Sequence, residues 1–262
     1  MSTPVLSRRI ALAGAVAALT GAAWFGLPGL QRLFHPAFAF RPVPGLSGFR
    51  HLVAGDVSRS LDPLAGLTAI DGAPKATPVP ALNQGVCEAL FGAAAAAPSA
   101  SRTMLSIASF SDYRCPYCRV LIPILAAWQA SNPDENHVEW HEWPLLGDVS
   151  SVAARAALAA KRQDAYPLFQ ARLMRSAFVP TPGYLRDTAE RLGLDADRLL
   201  EDMDDPAIER QIATSQVLAS MFGFPGTPSL VVGRTAVIGA ISESDLYALI
   251  DLERFERAES VC

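Results

Sequence analysis

The chain has 262 residues, half of them apolar, with 22 Lys and Arg against 26 Asp and Glu for a formal net charge of -4. That length and composition suffice for one sizeable domain or two small ones, with a core that needs no metal or disulfide staple. The acidic balance gives no electrostatic reason to expect nucleic acid as a partner, and 4 cysteines are too few for a disulfide-dense scaffold.

Residues 1–39 read as an address rather than as fold. Ser7-Arg8-Arg9 precedes the uncharged, Ala- and Gly-rich stretch 10–27, the positive and apolar regions of an export signal. The Ser-Arg-Arg-x-x-Leu run ending at Leu12 also matches a twin-arginine signal, with Ala11 in place of the usual Phe. Residues 10–27 are at the short limit for a membrane-spanning helix, and Ala37-Phe38-Ala39 offers a small-x-small cleavage site. A cleaved signal peptide and a membrane anchor are both open at this point. A buried helix is disfavoured by the paired arginines and by Gly14, Gly21 and Gly26.

Residues 40–101 carry Pro or Gly every few positions and an alanine run, Ala93 to Ala97, before Pro98. They predict an irregular arm with a short helix around Val86 to Phe91. The arm shows no heptad or amphipathic helix suited to dimerisation, so a monomer is expected.

Residues 102–262 form the main domain. Met104 to Phe110 is a short apolar run suited to a buried strand. Residues 115–130 then show helical spacing, with Val120, Leu121, Ile124, Leu125 and Trp128 on one face and a kinking Pro123 inside. Val138, Trp140 and Glu142 alternate with Glu139, His141 and Trp143 as a second strand that ends at Pro144. Helices follow over about 150–222. Ser150 or Ser151 is read as capping one through Lys161, Thr181-Pro182 starts another, Asp195 caps a third, and Asp205-Pro206 opens a fourth running to Phe222. Strands return at Leu230 to Val232 and Ala236 to Ile238, joined at Gly233-Arg234, and Ser242 with Asp245 caps the last helix.

The chemistry concentrates in Cys115-Pro116-Tyr117-Cys118. Cys115 stands at a helix N-terminus, where free N–H groups and the helix dipole stabilise a thiolate, and Pro116 suits a first turn that needs no N–H. Cys115 is therefore the expected low-pKa, exposed attacking sulfur, with Cys118 one turn on to resolve a mixed disulfide. Asp112 and Glu142 are candidates for moving a proton to the buried thiol; the plainer reading makes each an exposed carboxylate.

The Cys-Pro-Tyr-Cys motif after an apolar strand, Pro123, the helical insertion, and Thr227-Pro228 before a strand together resemble the DsbA-like thiol:disulfide oxidoreductases. The resemblance spans Arg102 to Arg257 and implies an α/β thioredoxin fold with an inserted helical subdomain and no cofactor. It further implies that Pro228 follows a cis peptide and that Thr227 and Pro228 offer an edge to which client chains add as a strand. Tyr117 stands where the best-known oxidases of the family carry histidine, which implies a weaker oxidant.

The implied function is formation of disulfides in exported, cysteine-containing proteins of the periplasm, with a membrane redox partner that reoxidises the Cys115–Cys118 pair. Reduction or isomerisation is the alternative direction. Cys87 and Cys262 form a candidate structural disulfide tying the C-terminus to the arm. A rival of another class is a zinc-binding or metal-chaperone module using Cys115 and Cys118 with His137 and His141. The Cys118 to His137 spacing exceeds the roughly 12–15 residues of a finger, and the histidines sit on a strand pattern as solvated side chains, so no metal is expected.

Overall fold

The computed structural model describes residues 38–59, 85–96, 104–177 and 179–256. The stretch read as export signal or anchor lies, apart from its last two residues, outside the described residues, as does Cys262.

The order of elements is β1 (Arg41–Pro42), β2 (Arg50–Val53), α1 (Val86–Ala96), β3 (Leu105–Ser111), α2 (Pro116–Ser131), β4 (Asn136–Glu142), then the insertion helices α3 (Asp148–Lys161), α4 (Tyr166–Arg175), α5 (Pro182–Arg191), α6 (Ala196–Asp202) and α7 (Pro206–Met221), and finally β5 (Ser229–Val232), β6 (Thr235–Ile238) and α8 (Glu243–Phe255). The strands form one sheet in the order β1-β2-β6-β5-β3-β4. β3 lies inside it, parallel to β4 and antiparallel to β5. Its burial, Ser109 and Ser111 included, follows from that place, because a strand covered on both faces has no solvent side to alternate with. A parallel neighbour demands a crossover connection, and α2 supplies it.

Two pieces of the segment expected to be irregular belong to the sheet. β2 pairs in parallel with β6, from Arg50 opposite Thr235 to Val53 opposite Ile238, and β1 pairs with β2. At two and four residues these strands are too short to carry a periodicity. Partners distant in sequence define them instead. The Arg50 guanidinium reaches Thr235 Oγ1 and Glu253 Oε1, each at 2.8 Å. In α1 the regular backbone is broken at Gly92, at φ 74°, one residue past the expected end.

Among the described residues two apolar clusters stand out. One packs Tyr113, Cys115, Cys118 and Ile122 against the alanines of α3 and against Tyr166, Phe169, Leu173, Leu185 and Leu199 of the insertion. The small alanines allow close approach of helices, and each fully buried Phe or Leu contributes about 1.5–3 kcal/mol. The other gathers Leu90, Phe91, Phe110, Trp143, Leu218 and Phe222.

Within the insertion, Thr181, Asp195 and Asp205 cap α5, α6 and α7 as expected, each side chain accepting a backbone N–H. Two local readings change. α3 starts after Gly147, so Ser150 lies inside it rather than capping it, and its hydroxyl donates to Asp112 Oδ1 at 2.7 Å. α4, opened by Pro167 in its first turn, is a helix whose start the sequence pattern did not mark. In α2, Val120 is exposed and Ile122 is buried, because the inward place is set by Cys118 one turn earlier.

Candidate active site

The turn between β3 and α2 is built by Asp112. Its backbone carbonyl accepts from Cys115 N at 3.2 Å, and its Oδ1 accepts from Arg114 N at 2.7 Å. Oδ2 accepts from Leu145 N and Leu146 N at 2.7 and 2.9 Å. The carboxylate is buried, against the expectation of exposure, and with the Ser150 hydroxyl it takes four donors. It ties the reactive turn to the loop after β4, and no oxygen is left over for proton transfer.

Cys115 is the N-cap of α2, and its sulfur accepts from Cys118 N at 3.3 Å, which satisfies one of the donors that a helix start leaves free. Its thiol donates to Thr227 O, also at 3.3 Å. The Cys118 thiol is the chief cause that brings the Cys115 thiol down to about 6; burial opposes this, and the polar side chains of Ser58 and Thr227 and the Cys118 backbone N–H assist. For Cys118, burial comes first, and with the neighbouring sulfur it pushes that thiol well above its usual value. The pair therefore holds one thiolate and one thiol near neutral pH.

Cys115 is not exposed, as its place at a helix tip had suggested. Its accessible surface is 0%. The cover comes from residues distant in sequence: the Thr227–Pro228 peptide, which is cis and leads into β5 beside β3, and Ser58, whose backbone bridges Thr227. Pro116 sits in the first turn of α2, and Tyr117 is exposed with its hydroxyl 3.5 Å from Asp56 Oδ2. The structure thus brings Cys115, Cys118, Tyr117, Thr227 and Pro228 together and adds Ser58 and Asp56, which no sequence motif marks.

Glu142 is also buried rather than exposed. Oε1 accepts from Tyr113 Oη at 2.7 Å and Tyr166 Oη at 2.6 Å, whereas Oε2 is buried with no hydrogen-bond partner among the described residues. Burial raises its carboxyl to about 7, opposed by the two tyrosine hydroxyls.

The histidines of β4 are held on another element. His137 Nε2 lies 3.0 Å from Phe91 O and His141 Nε2 lies 2.9 Å from Leu90 O. His141, expected in solvent, is buried and stacked on Phe110 with centroids 4.5 Å apart. Among the described residues no group of three or more His, Cys, Asp or Glu is placed to hold a metal ion. Cys115 and Cys118 are free thiols, whereas Cys87 is disulfide-bonded.

A family model described as the DSBA-like thioredoxin domain matches residues 106–251. The chain belongs to the DsbA-like thioredoxin-domain family. This DsbA-like chain shares 33% identity with a thioredoxin-like oxidoreductase from Silicibacter pomeroyi, over 64% of this chain and 97% of that one, at a TM-score of 0.56. It is similar to a periplasmic thioredoxin-like protein from Salmonella enterica serovar Typhimurium, at 26% identity over 65% and 96% of the two chains and a TM-score of 0.54. It is also similar to the thiol-disulfide exchange protein alpha-DsbA2 from Wolbachia pipientis, at 25% identity over 58% and 83% and a TM-score of 0.52.

Among curated relatives, 130 residues match Na(+)/H(+) antiporter NhaA 3 of Salinispora tropica at 29% identity, over 49% of this chain and 20% of that protein. The DsbA-like chain thus spans about a fifth of the length of that relative, and antiport is a statement about that protein alone. Members of the DsbA-like family are thiol:disulfide oxidoreductases, and the Wolbachia relative is itself a thiol-disulfide exchange protein. No helix among the described residues is long and apolar enough to cross a membrane.

Proposed function

We propose that this protein works in the periplasm, delivered by its N-terminal signal or tethered by residues 10–27, and donates the Cys115–Cys118 disulfide to exported proteins. The observation that carries the direction is the split of the two thiols, with Cys115 brought down to about 6 and Cys118 pushed well above the usual range. A stabilised thiolate favours the reduced form of the enzyme, which makes its disulfide the stronger oxidant.

A client thiolate attacks Cys115 Sγ, the bond to Cys118 breaks, and the Cys118 sulfur takes up a proton. A second client thiolate then attacks the client sulfur of the mixed disulfide. Cys115 leaves as a thiolate, for which its low pKa suits it. Two client thiols have then become one disulfide and the enzyme disulfide has become a dithiol. A membrane thiol oxidase is the class of partner that would restore it. Thr227 and Pro228 hold the client backbone beside Cys115, and no cofactor enters the cycle. Cys87 and Cys262 form a separate structural bridge, a pairing supported by the free state of the other two cysteines of the 4 in the chain.

The test is a titration of the Cys115–Cys118 pair against glutathione in a Cys87→Ser/Cys262→Ser background. A potential near or above about −150 mV supports donation, since strong oxidases lie near about −120 mV, and one near about −270 mV turns the reading to a reductase. Cys115→Ser should abolish exchange, and Cys118→Ser should trap clients as mixed disulfides; exchange persisting in Cys115→Ser ends the proposal. Metal bound at one equivalent and lost to a chelator would favour the metal-binding reading instead.

A further inference from the structure

After β2 the chain keeps its hydrogen bonds to the end of β6 and the residues beyond it and reaches the reactive pair. Ala54 N donates to Ile238 O and Ala240 N donates to Asp56 O, each at 2.9 Å. Two residues on, Ser58 and Thr227 form an isolated antiparallel bridge: Ser58 N donates to Thr227 O at 2.7 Å and Thr227 N donates to Ser58 O at 3.0 Å. Both backbone hydrogen-bonding groups of Thr227 are therefore occupied by the chain itself. The fit is close enough that a Cβ at Gly226 would collide with the Ser58 carbonyl, and one at Gly239 with the carbonyl of Gly55.

An added client strand would need those same two groups of Thr227. Ser58 is the oxygen homologue of cysteine, and its side chain is among the influences that lower the Cys115 thiol. Two residues before it, Asp56 meets the Tyr117 hydroxyl at 3.5 Å. The covering segment thus imitates an extended peptide whose cysteine faces Cys115. We propose that residues 55–59 are an internal stand-in for the client, with Ser58 in the place of the client cysteine, and that the segment must leave the Thr227 edge before a client can bind. This inference rests on the proposed role of that edge in client exchange. It also states what a client must be: an extended stretch with its cysteine opposite Thr227 and a hydrogen-bond acceptor two residues earlier for Tyr117.

Two measurements test it. The first uses Ser58→Cys/Cys118→Ser with oxidised glutathione as oxidant. If residue 58 lies at Cys115, the two thiols lose two protons and two electrons to form one disulfide within the chain, and glutathione disulfide becomes two glutathione thiols. Mass mapping of the unreduced digest should find the link between positions 58 and 115; Cys115 carrying only glutathione would overturn the inference.

The second compares wild type with Ser58→Pro, which removes the N–H given to Thr227 O, at about pH 8.5, where Cys115 stays ionised. Iodoacetamide should modify Cys115 faster, and kcat/KM for oxidising a dithiol peptide should rise about three- to tenfold, the range expected for one lost hydrogen bond, chiefly through KM. No change in either rate would overturn the inference. Should the oxidised wild type leave the peptide reduced, the proposed function fails, and the cross-link and the alkylation rate still decide whether the segment covers Cys115.

Discussion

The Cys115 thiol lies 3.3 Å from the carbonyl oxygen of Thr227, a residue 112 positions later in the chain. That contact joins the tip of α2 to the turn leading into β5. Ionisation of Cys115 ends the donation to Thr227 O, so the thiolate depends on the donors around it, and the Cys118 thiol is the largest of these influences. Cys118→Ala should therefore raise the Cys115 pKa from about 6 by roughly one to two units, the equivalent of one hydrogen bond to a charged group. The pH dependence of the iodoacetamide rate reads this directly, and an unmoved midpoint would show that other donors hold the thiolate.

The same depressed pKa makes the reduced protein's stability depend on pH. The folded state favours the thiolate, so the contribution is complete above the usual thiol value of 9.0 and disappears as pH falls through about 6. Reduced wild type should gain on reduced Cys115→Ser by on the order of 2 kcal/mol between pH 6 and about 7.5, and by about twice that at pH 9. Urea unfolding of both proteins across this window checks it. A gain that appears on acidification instead would reverse the assignment.

Asp112 accepts three backbone N–H groups and one hydroxyl from two loops and α3, and it is buried. Asp112→Ala leaves these donors without partners, each worth about 1–3 kcal/mol if water cannot reach it. A loss of about 3 kcal/mol or more is expected, lowering Tm by roughly 6–12 °C. Calorimetry of the variant measures it. A change within about 1 °C would mean that solvent replaces the carboxylate at no cost.

The site was legible wherever a local pattern carries it. Cys115, Pro116 and Cys118 announce themselves because a helix start and a dithiol both have a fixed spacing. Thr181, Asp195 and Asp205 do so because a cap is a local hydrogen bond. The remainder depends on pairing between distant residues. β2 exists because β6 lies beside it, so the short run Arg50 to Val53 shows no period of its own. Burial of Asp112, Glu142 and His141 was misread because a carboxylate or imidazole looks exposed until its donors, which come from other elements, are known. Ser58 is the extreme case: nothing in Asp56-Val57-Ser58-Arg59 hints at an active site, and only the bridge to Thr227 puts it there.

Glu142 gives the sharpest pH test away from the sulfurs. Its carboxyl is raised from 4.5 to about 7, mainly by burial, with Tyr113 and Tyr166 donating to it, Asp112 adding repulsion and Lys161 opposing. The folded state thus keeps a proton that the unfolded chain releases. The contribution is complete below about 4.5, declines as pH rises to about 7, and is constant beyond that. The expected decline is on the order of 3 kcal/mol. Glu142→Gln cannot release a proton, so its stability relative to wild type should improve by that amount across the same window. His141, lowered by burial, gives a slope of the opposite sign, and Cys115 adds its own; both are present in wild type and variant and cancel in the difference. Denaturant unfolding of the two proteins at several pH values between 4.5 and 7.5 measures that difference. A difference that stays flat would mean that Glu142 is ionised throughout, with water reaching Oε2.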